Sequence, residues 1–156
     1  MFQQESLTVK SDLDDLNKVL QWFEQFCQKH LSELSWLADG SDPLDGTLHE
    51  RQSLALDLIK IALDEGFTNA VRYAHKDLPP ETPIDIELTL WDERLEIRIW
   101  DWGEPFDPDT LEEPTPGTPQ VGGYGWFLMR RLTDRVVYER CFDGRNCLLL
   151  VKHKAE

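Results

Sequence analysis

One stretch of helical pattern, residues 54–74 (LALDLIKIALDEGFTNAVRYA), limits the fold of this chain more than any other part of it. Its apolar residues fall on two sides of a helix, a stripe of Leu54, Leu58, Ile61 and Ala62 and an opposite face of Leu56, Ile59, Leu63, Phe67 and Ala70. Three polar residues, Glu65, Asn69 and Arg72, continue the stripe at the same helical spacing. We therefore predict a helix with two covered sides, one of which changes from apolar to polar along its length.

The polar end of the stripe has two interpretations. A buried carboxylate, amide or guanidinium is costly unless it is paired, so Glu65 and Arg72 either reach solvent or each other at the helix end, or belong to a site. In a site, the Glu65 carboxylate can take a proton and the Asn69 amide oxygen can bind a hard cation. Asp64, by contrast, is expected to face water. The same water-facing side carries Ser53, Asp57 and Lys60.

The length and composition of the chain fit a single cytoplasmic domain, residues 1–156. With 156 residues and 40% hydrophobic content, the chain can bury one proper core. No apolar run approaches the ~18 residues of a membrane span, and the N-terminal MFQQESLTVK lacks the apolar core of a signal peptide. A net charge of −14 argues against nucleic acid and anionic membranes, which are bound mainly by clustered Lys and Arg. A protein or small-molecule partner is expected instead.

Hydrophobic periodicity predicts three helices and about five strands. The helices fall at residues 13–30, with an extension towards 37, at 54–74 and at 125–133, and the strands at 5–10, 84–91, 95–99, 136–142 and 146–152. Strands 84–91 and 95–99 each alternate between an apolar and a polar face, which predicts an antiparallel hairpin with one face on the core. These elements imply a two-layer α/β sandwich, a mixed, mostly antiparallel sheet with three helices on one face.

The longest irregular stretch, residues 101–124 (DWGEPFDPDTLEEPTPGTPQVGGY), separates the two predicted hairpins. A loop of this length in a compact domain is usually functional or disordered. It opens with DWG, which begins at Asp101 at the end of a core strand, and GGYG (residues 122–125) follows directly before a helix. Glycines there let backbone N–H groups approach an anion, and the helix N-terminus adds a favourable dipole, as in a phosphate cradle. Taken singly, Asp101 is also an ordinary turn residue and GGYG an ordinary flexible loop end.

The combination of these parts points to a nucleotide site. No Lys or Arg occurs between Arg98 and Arg130, so phosphates in this loop need a metal, the helix end or Arg72 to neutralise them. A metal-capable Glu65/Asn69 pair, an acceptor at a strand end and a glycine-rich helix entry together contain the parts of such a site.

At these residues the sequence resembles a known family. EGFTNA, which begins at Glu65, resembles the N box of the histidine-kinase/gyrase type of ATP-binding fold, and DWG and GYG (residues 123–125) resemble its two glycine boxes, in the same order and at similar spacing. The short single domain, a lid of roughly residues 104–122, and the segments DRVVY and NCLLL resemble the bacterial anti-sigma-factor serine/threonine kinases. The chain departs from the pattern in two places, since the lid has no basic residues and DWGEP lacks the second glycine of DxGxG.

The resemblance implies roles for individual residues. Glu65 is implied as the general base that orients the attacking hydroxyl, Asn69 as the Mg²⁺ ligand and Arg72 as a phosphate contact. Asp101 is implied as the acceptor from the adenine amino group, which favours ATP over GTP because guanine presents a carbonyl there. Nucleotide contacts that shape the pocket and lid are implied at Gly103, Gly122, Gly123 and Gly125.

Two functions are consistent with this reading. The first is an ATP-dependent protein serine/threonine kinase that phosphorylates a small anti-sigma-factor antagonist protein and, by switching partners, controls a sigma factor. The second is a non-catalytic module of the same fold that binds nucleotide, or none, and only sequesters a partner. Glu65 favours the first, because a pure binder has no need of a buried base.

The outer face of the first hairpin suggests a further contact surface. Trp91 and Trp100 share strand parity with polar residues, so both indoles are expected to point away from the helices. They end adjacent strands, and we expect them to lie near each other as a patch for a homodimer or a partner protein. The alternatives are that they fold over the sheet edge or cap the nucleotide pocket.

Overall fold

One antiparallel sheet forms the base of the fold. The computed structural model describes residues 2–39, 46–105 and 124–155. Its strands are β1 (Gln3–Lys10), β2 (Pro83–Trp91), β3 (Arg94–Asp101), β4 (Arg135–Arg140) and β5 (Asn146–His153), in the order β1-β2-β3-β5-β4. Neighbouring strands are antiparallel at all four pairings of the described residues. The prediction was a mixed, mostly antiparallel sheet, and these five strands contain no parallel pair.

In the part of the chain that the structure describes, three α-helices supply the second layer, as predicted. They are α1 (Leu16–Lys29), α2 (Leu48–Asn69) and α3 (Tyr124–Leu132). The inward residues of the alternating strands pack with residues of these helices in one core, because each element buries its apolar face against the other layer. Fully buried members of this core include Phe23, Phe26, Ile59, Leu63, Phe67, Ile84, Ile86, Leu88, Ile97 and Ile99.

The helix ends differ from the expected ones for local reasons. α2 begins at Leu48 rather than at residue 54, because the Thr47 side chain accepts a hydrogen bond from the Glu50 backbone N–H at 3.1 Å. This Thr-x-x-Glu sequence is a helix-start signal. α1 ends at Lys29, and the expected extension towards residue 37 is a separate 3-10 turn, Ser35–Ala38.

The prediction that α2 has two covered sides is wrong for its stripe. Leu54, Leu58 and Ile61 are 56%, 38% and 42% exposed, whereas Ala62 is buried, as is the opposite face except for the half-buried Leu56. Asp64, expected to face water, is instead half-buried and accepts a hydrogen bond from the Thr68 hydroxyl at 3.3 Å. The helix therefore contacts the sheet on one side only, and the side that carries Leu54 points outwards.

Gly66 fixes where α2 lies on the sheet. A Cβ at this position would be 2.8 Å from Ile99 Cδ1 and 3.1 Å from Leu148 Cδ2, so glycine lets the helix lie this close without a shift of these side-chain ends. Ile99 lies on β3 shortly before Asp101, and Leu148 lies on β5. The contact therefore brings the end of α2, with Glu65, to the end of β3.

The expected tryptophan patch on the outer face does not form. Trp100 is opposite Asp85 in the β2–β3 register, whereas Trp91 is opposite Arg94. The two indoles are therefore at opposite ends of the hairpin, roughly 20 Å apart at the usual rise of a strand. The prediction was wrong because the C-terminal ends of two neighbouring antiparallel strands point in opposite directions.

Each indole packs with other side chains at its own end. Arg145 lies 5.2 Å over the Trp100 ring. The Trp91 ring is 4.8 Å from that of Phe2. Among the described helices, none is both long enough and apolar enough to cross a membrane.

Candidate functional site

The first part of the site lies where the end of α2 meets the start of α3. A Cβ at Gly125 would lie 2.6 Å from Glu65 Oε2 and 3.3 Å from Asn69 Oδ1. Glycine at this position therefore allows the first turn of α3 to approach both side chains. The structure thus brings together three of the residues that the sequence assigned to one site. The dipole of a helix N-terminus favours negative charge at such a place.

The surroundings of Glu65 suit a proton acceptor. The side chain is half-buried, and the pKa of its carboxyl is raised, first by this burial and then by the negative charge of Asp64. The positive charge of Arg72 opposes this shift in the pKa. A general base works best when its pKa approaches the working pH, so the raised pKa fits that role.

α2 does not continue to Arg72 as a regular α-helix. It ends at Asn69 and passes into one π-helical turn, Ala70–Ala74. Arg72 lies in this turn and is exposed, as are Leu54, Leu58 and Ile61 of the stripe, and its positive charge still acts on the Glu65 carboxyl. Its contact with a phosphate stays a prediction. Single π turns in helices often occur at functional sites.

The second part of the site surrounds Asp101 at the end of β3. This residue is 3% exposed, and its Oδ1 accepts hydrogen bonds from the Gly103 N–H at 2.9 Å and from Asn146 Nδ2 at 2.8 Å. The Tyr138 hydroxyl donates to Oδ2 at 3.5 Å. Burial and the Asp101 charge raise the pKa of Tyr138, so its hydroxyl keeps the proton that it donates. The carboxylate is thus held in one orientation, and a carboxylate can accept further hydrogen bonds.

Gly103 joins the two parts of the site. A Cβ here would be 2.0 Å from the backbone oxygen of Ala74, the last residue of the π turn. The Gly103 carbonyl accepts hydrogen bonds from Asn146 Nδ2 at 2.8 Å and from Arg140 Nη1 at 3.3 Å. The DWG turn therefore lies directly against the end of the helix that carries Glu65.

His75 makes a second link between the helix end and the DWG turn. Its ring is 2% exposed, and its Nε2 accepts a hydrogen bond from the Trp102 N–H at 2.8 Å. Burial lowers the pKa of His75, although the Asp101 charge opposes this change. The ring is therefore held neutral, with its proton on Nδ1, because Nε2 must be free to accept. This Nδ1 has no hydrogen-bond partner in the part of the chain that the structure describes.

The sequence interpretation missed four residues of this network. They are His75, Tyr138, Arg140 and Asn146. Asn146 is fully buried, and an amide before the apolar segment CLLLV was the signal that could have identified it. The other three come from segments that converge only in the folded chain.

Two predicted glycines and most of the lid cannot be placed. Gly122, Gly123 and residues 106–123 as a whole lie outside the described residues. The Asn69 amide and the Glu65 carboxylate supply hard oxygen donors beside Gly125, which is donor chemistry that Mg²⁺ accepts. Asn69 as a Mg²⁺ ligand stays a prediction.

Comparison with known proteins agrees with the motif resemblance. Residues 9–152 match the family described as the histidine kinase-like ATPase domain. The chain is similar to the serine-protein kinase RsbW of Oceanobacillus iheyensis, with 33% identity over 90 residues, which cover 53% of this chain and 56% of that protein. It is 35% identical to the serine-protein kinase RsbW of Bacillus subtilis over 86 residues, 50% of this chain and 53% of the relative. The chain thus spans about half the length of the curated relatives it matches.

A solved structure has a similar fold. It contains the RsbU and RsbW domains of a Mycobacterium tuberculosis protein, and the similarity covers 97% of this chain and 32% of that one. The TM-score is 0.55 and the sequence identity is 14%, so this likeness concerns the fold alone. It confirms the predicted α/β sandwich.

Proposed function

The chain belongs to the histidine kinase-like ATPase domain family, and from this premise we propose that it is a protein serine/threonine kinase that uses Mg-ATP. Its substrate is a small anti-sigma-factor antagonist protein, and exchange of that partner controls a sigma factor. The observation that carries the proposal is the meeting of Glu65, Asn69 and Gly125 at the start of α3. The relatives named serine-protein kinase RsbW support it.

At the phosphate end of the proposed site, each group has one task. Glu65 takes the proton of the attacking hydroxyl and orients it, which its raised pKa supports. Asn69 would hold Mg²⁺, which, when bound, neutralises part of the phosphate charge. The N–H groups that begin α3 receive phosphate oxygens, and Arg72 adds a positive charge. Phosphoryl transfer depends mainly on such positioning and charge stabilisation.

At the adenine end, Asp101 accepts a hydrogen bond from the exocyclic amino group. Its orientation is held by Asn146, Tyr138 and the Gly103 N–H. Guanine has a carbonyl at this place, which the carboxylate repels, so the site selects ATP. The Ala74–Gly103 contact sets the distance between this end and the phosphate end.

The remaining assignments follow from this chemistry. ATP and a protein substrate favour action in the cytoplasm, and the net charge of −14 disfavours direct contact with nucleic acid. Self-association stays an untested prediction, and the separated Trp91 and Trp100 give it no support.

The test is transfer of labelled γ-phosphate from Mg-ATP to a panel of purified antagonist proteins. We expect wild-type protein to phosphorylate at least one of them on serine or threonine. Trp102, which is 43% exposed and follows Asp101, gives a fluorescence signal for ATP binding in the same samples. ATP binding without any transfer would reject the kinase and favour the sequestering module, and absence of both would reject the nucleotide site.

A further inference from the structure

An exposed apolar stripe on α2 leads directly to Glu65. Leu54, Leu58 and Ile61 repeat at helical spacing, and their exposed fractions are 56%, 38% and 42%. Glu65 follows Ile61 by four residues, about 6 Å along a helix, and lies on the same line. The stripe and the proposed base therefore form one continuous surface.

These three side chains do not serve the core of the protein. The core side of α2 is already supplied by Ile59, Leu63 and other fully buried residues. Single exposed aliphatic residues are ordinary on protein surfaces, but an apolar row in contact with a polar site is typical of an interaction surface. A partner that covered this row of side chains would also reach Glu65.

We propose that this α2 stripe is the docking surface for the protein that receives the phosphoryl group, an inference that rests on the proposed function. The acceptor hydroxyl must come within about 3 Å of the Glu65 carboxylate. A folded protein that places a side chain there must also cover the neighbouring turns of α2, where Leu58 and Ile61 lie. Burying these side chains against an apolar patch on the acceptor supplies affinity without any contact to ATP.

The charge beside the stripe defines the acceptor surface further. One border carries Asp57, Lys60 and Asp64, and Lys60 is already paired with Glu24 at 2.7 Å. The border is therefore negative, as is the whole chain at −14. The fitting partner surface is an apolar patch next to its serine or threonine with basic residues at the rim, because such charges complement this border.

The test compares wild type with the double variant Leu58→Ser/Ile61→Ser, using the antagonist protein that wild type phosphorylates best. We expect the KM for that protein to rise at least ~10-fold, about 1.4 kcal/mol of binding free energy, because both apolar anchors of the contact are lost. The kcat and the affinity for Mg-ATP should stay within about twofold of wild type. Phe142→Ser, which removes a fully exposed aromatic residue from the β4–β5 turn, is the matched control and should leave the KM unchanged.

Other outcomes separate this inference from the proposed function. An unchanged KM in the double variant, with normal transfer by wild type, would overturn the docking surface and leave the kinase intact. If wild type binds an antagonist without phosphorylating it, the dissociation constants alone test the docking surface. A weaker complex with the double variant supports it, and equal constants overturn it. If the wild type neither binds nor phosphorylates any antagonist, both proposals fail. Leu54→Ser, at the most exposed position, replaces the double variant if that variant does not fold.

Discussion

Replacing Gly103 by alanine tests the contact that joins the two ends of the site. The added methyl would lie 2.0 Å from the Ala74 carbonyl oxygen, and this separation must open to 3.4 Å or more to reach an ordinary van der Waals contact. The oxygen is a backbone atom and the backbone of residue 103 fixes the position of the methyl, so no side-chain rotation can relieve the clash. The turn must move, and the hydrogen bonds from Asn146 to the Gly103 carbonyl at 2.8 Å and from Trp102 to His75 at 2.8 Å are lost or lengthened.

We expect this variant to lose about 2–4 kcal/mol of unfolding free energy, from overpacking and from these two hydrogen bonds. Denaturant titration measures the loss, and calorimetry should show ATP affinity reduced at least ~10-fold. Gly125→Ala is the control, because its methyl would meet the Glu65 side chain, which can rotate, so the unfolding free energy should change little while transfer slows. A Gly103→Ala variant as stable as wild type would refute the described approach of the DWG turn to α2.

Three further predictions address single groups of the site. Asn69→Ala should weaken ATP binding more with Mg²⁺ than with a chelator, because only the metal contact is lost, and calorimetry showing equal weakening would exclude that role. Asp101→Asn should cost about 1–3 kcal/mol of ATP affinity through a lost charged hydrogen-bond partner, and an unchanged affinity would place adenine elsewhere. His75→Gln should reduce the loss of stability in acid. In the folded chain, burial lowers the pKa of His75 below its ordinary value of 6.5. As the pH falls below 6.5, the unfolded chain takes up a proton before the folded chain does, so the wild-type protein loses stability. This would be contradicted if the melting temperature fell equally in both proteins between pH 7.5 and pH 5.0.

The fold was largely predictable because its strands alternate cleanly. Strand β2 places Ile84, Ile86 and Leu88 on one face, and all three are buried as the alternation requires. The prediction that the stripe on α2 is covered failed because a helix can carry apolar residues on more sides than the core covers. Sequence periodicity does not reveal which side faces the sheet, whereas the contact at Gly66 decides it.

The candidate site was predictable where its residues are close in sequence. Glu65 and Asn69 are one helical turn apart, so their shared direction follows from helix geometry, and Gly125 indeed lies against both. The support of Asp101 by Asn146 and of Trp102 by His75 depends on pairings between distant segments. The π turn that follows Asn69 and carries Arg72 was likewise not visible in the local helical pattern.

The most direct test of the central claim is a single-turnover transfer of γ-phosphate to the antagonist protein by wild type and by Glu65→Gln at saturating Mg-ATP. Glutamine keeps the shape of the side chain and removes its ability to accept a proton. We predict a transfer rate at least ~100-fold lower, with ATP affinity unchanged, as expected for the loss of a general base. We also predict that the wild-type rate increases with pH as Glu65 deprotonates, at a pKa above that of an ordinary glutamate. A Glu65→Gln protein that transfers phosphate at the wild-type rate would contradict the assignment of Glu65 as the base.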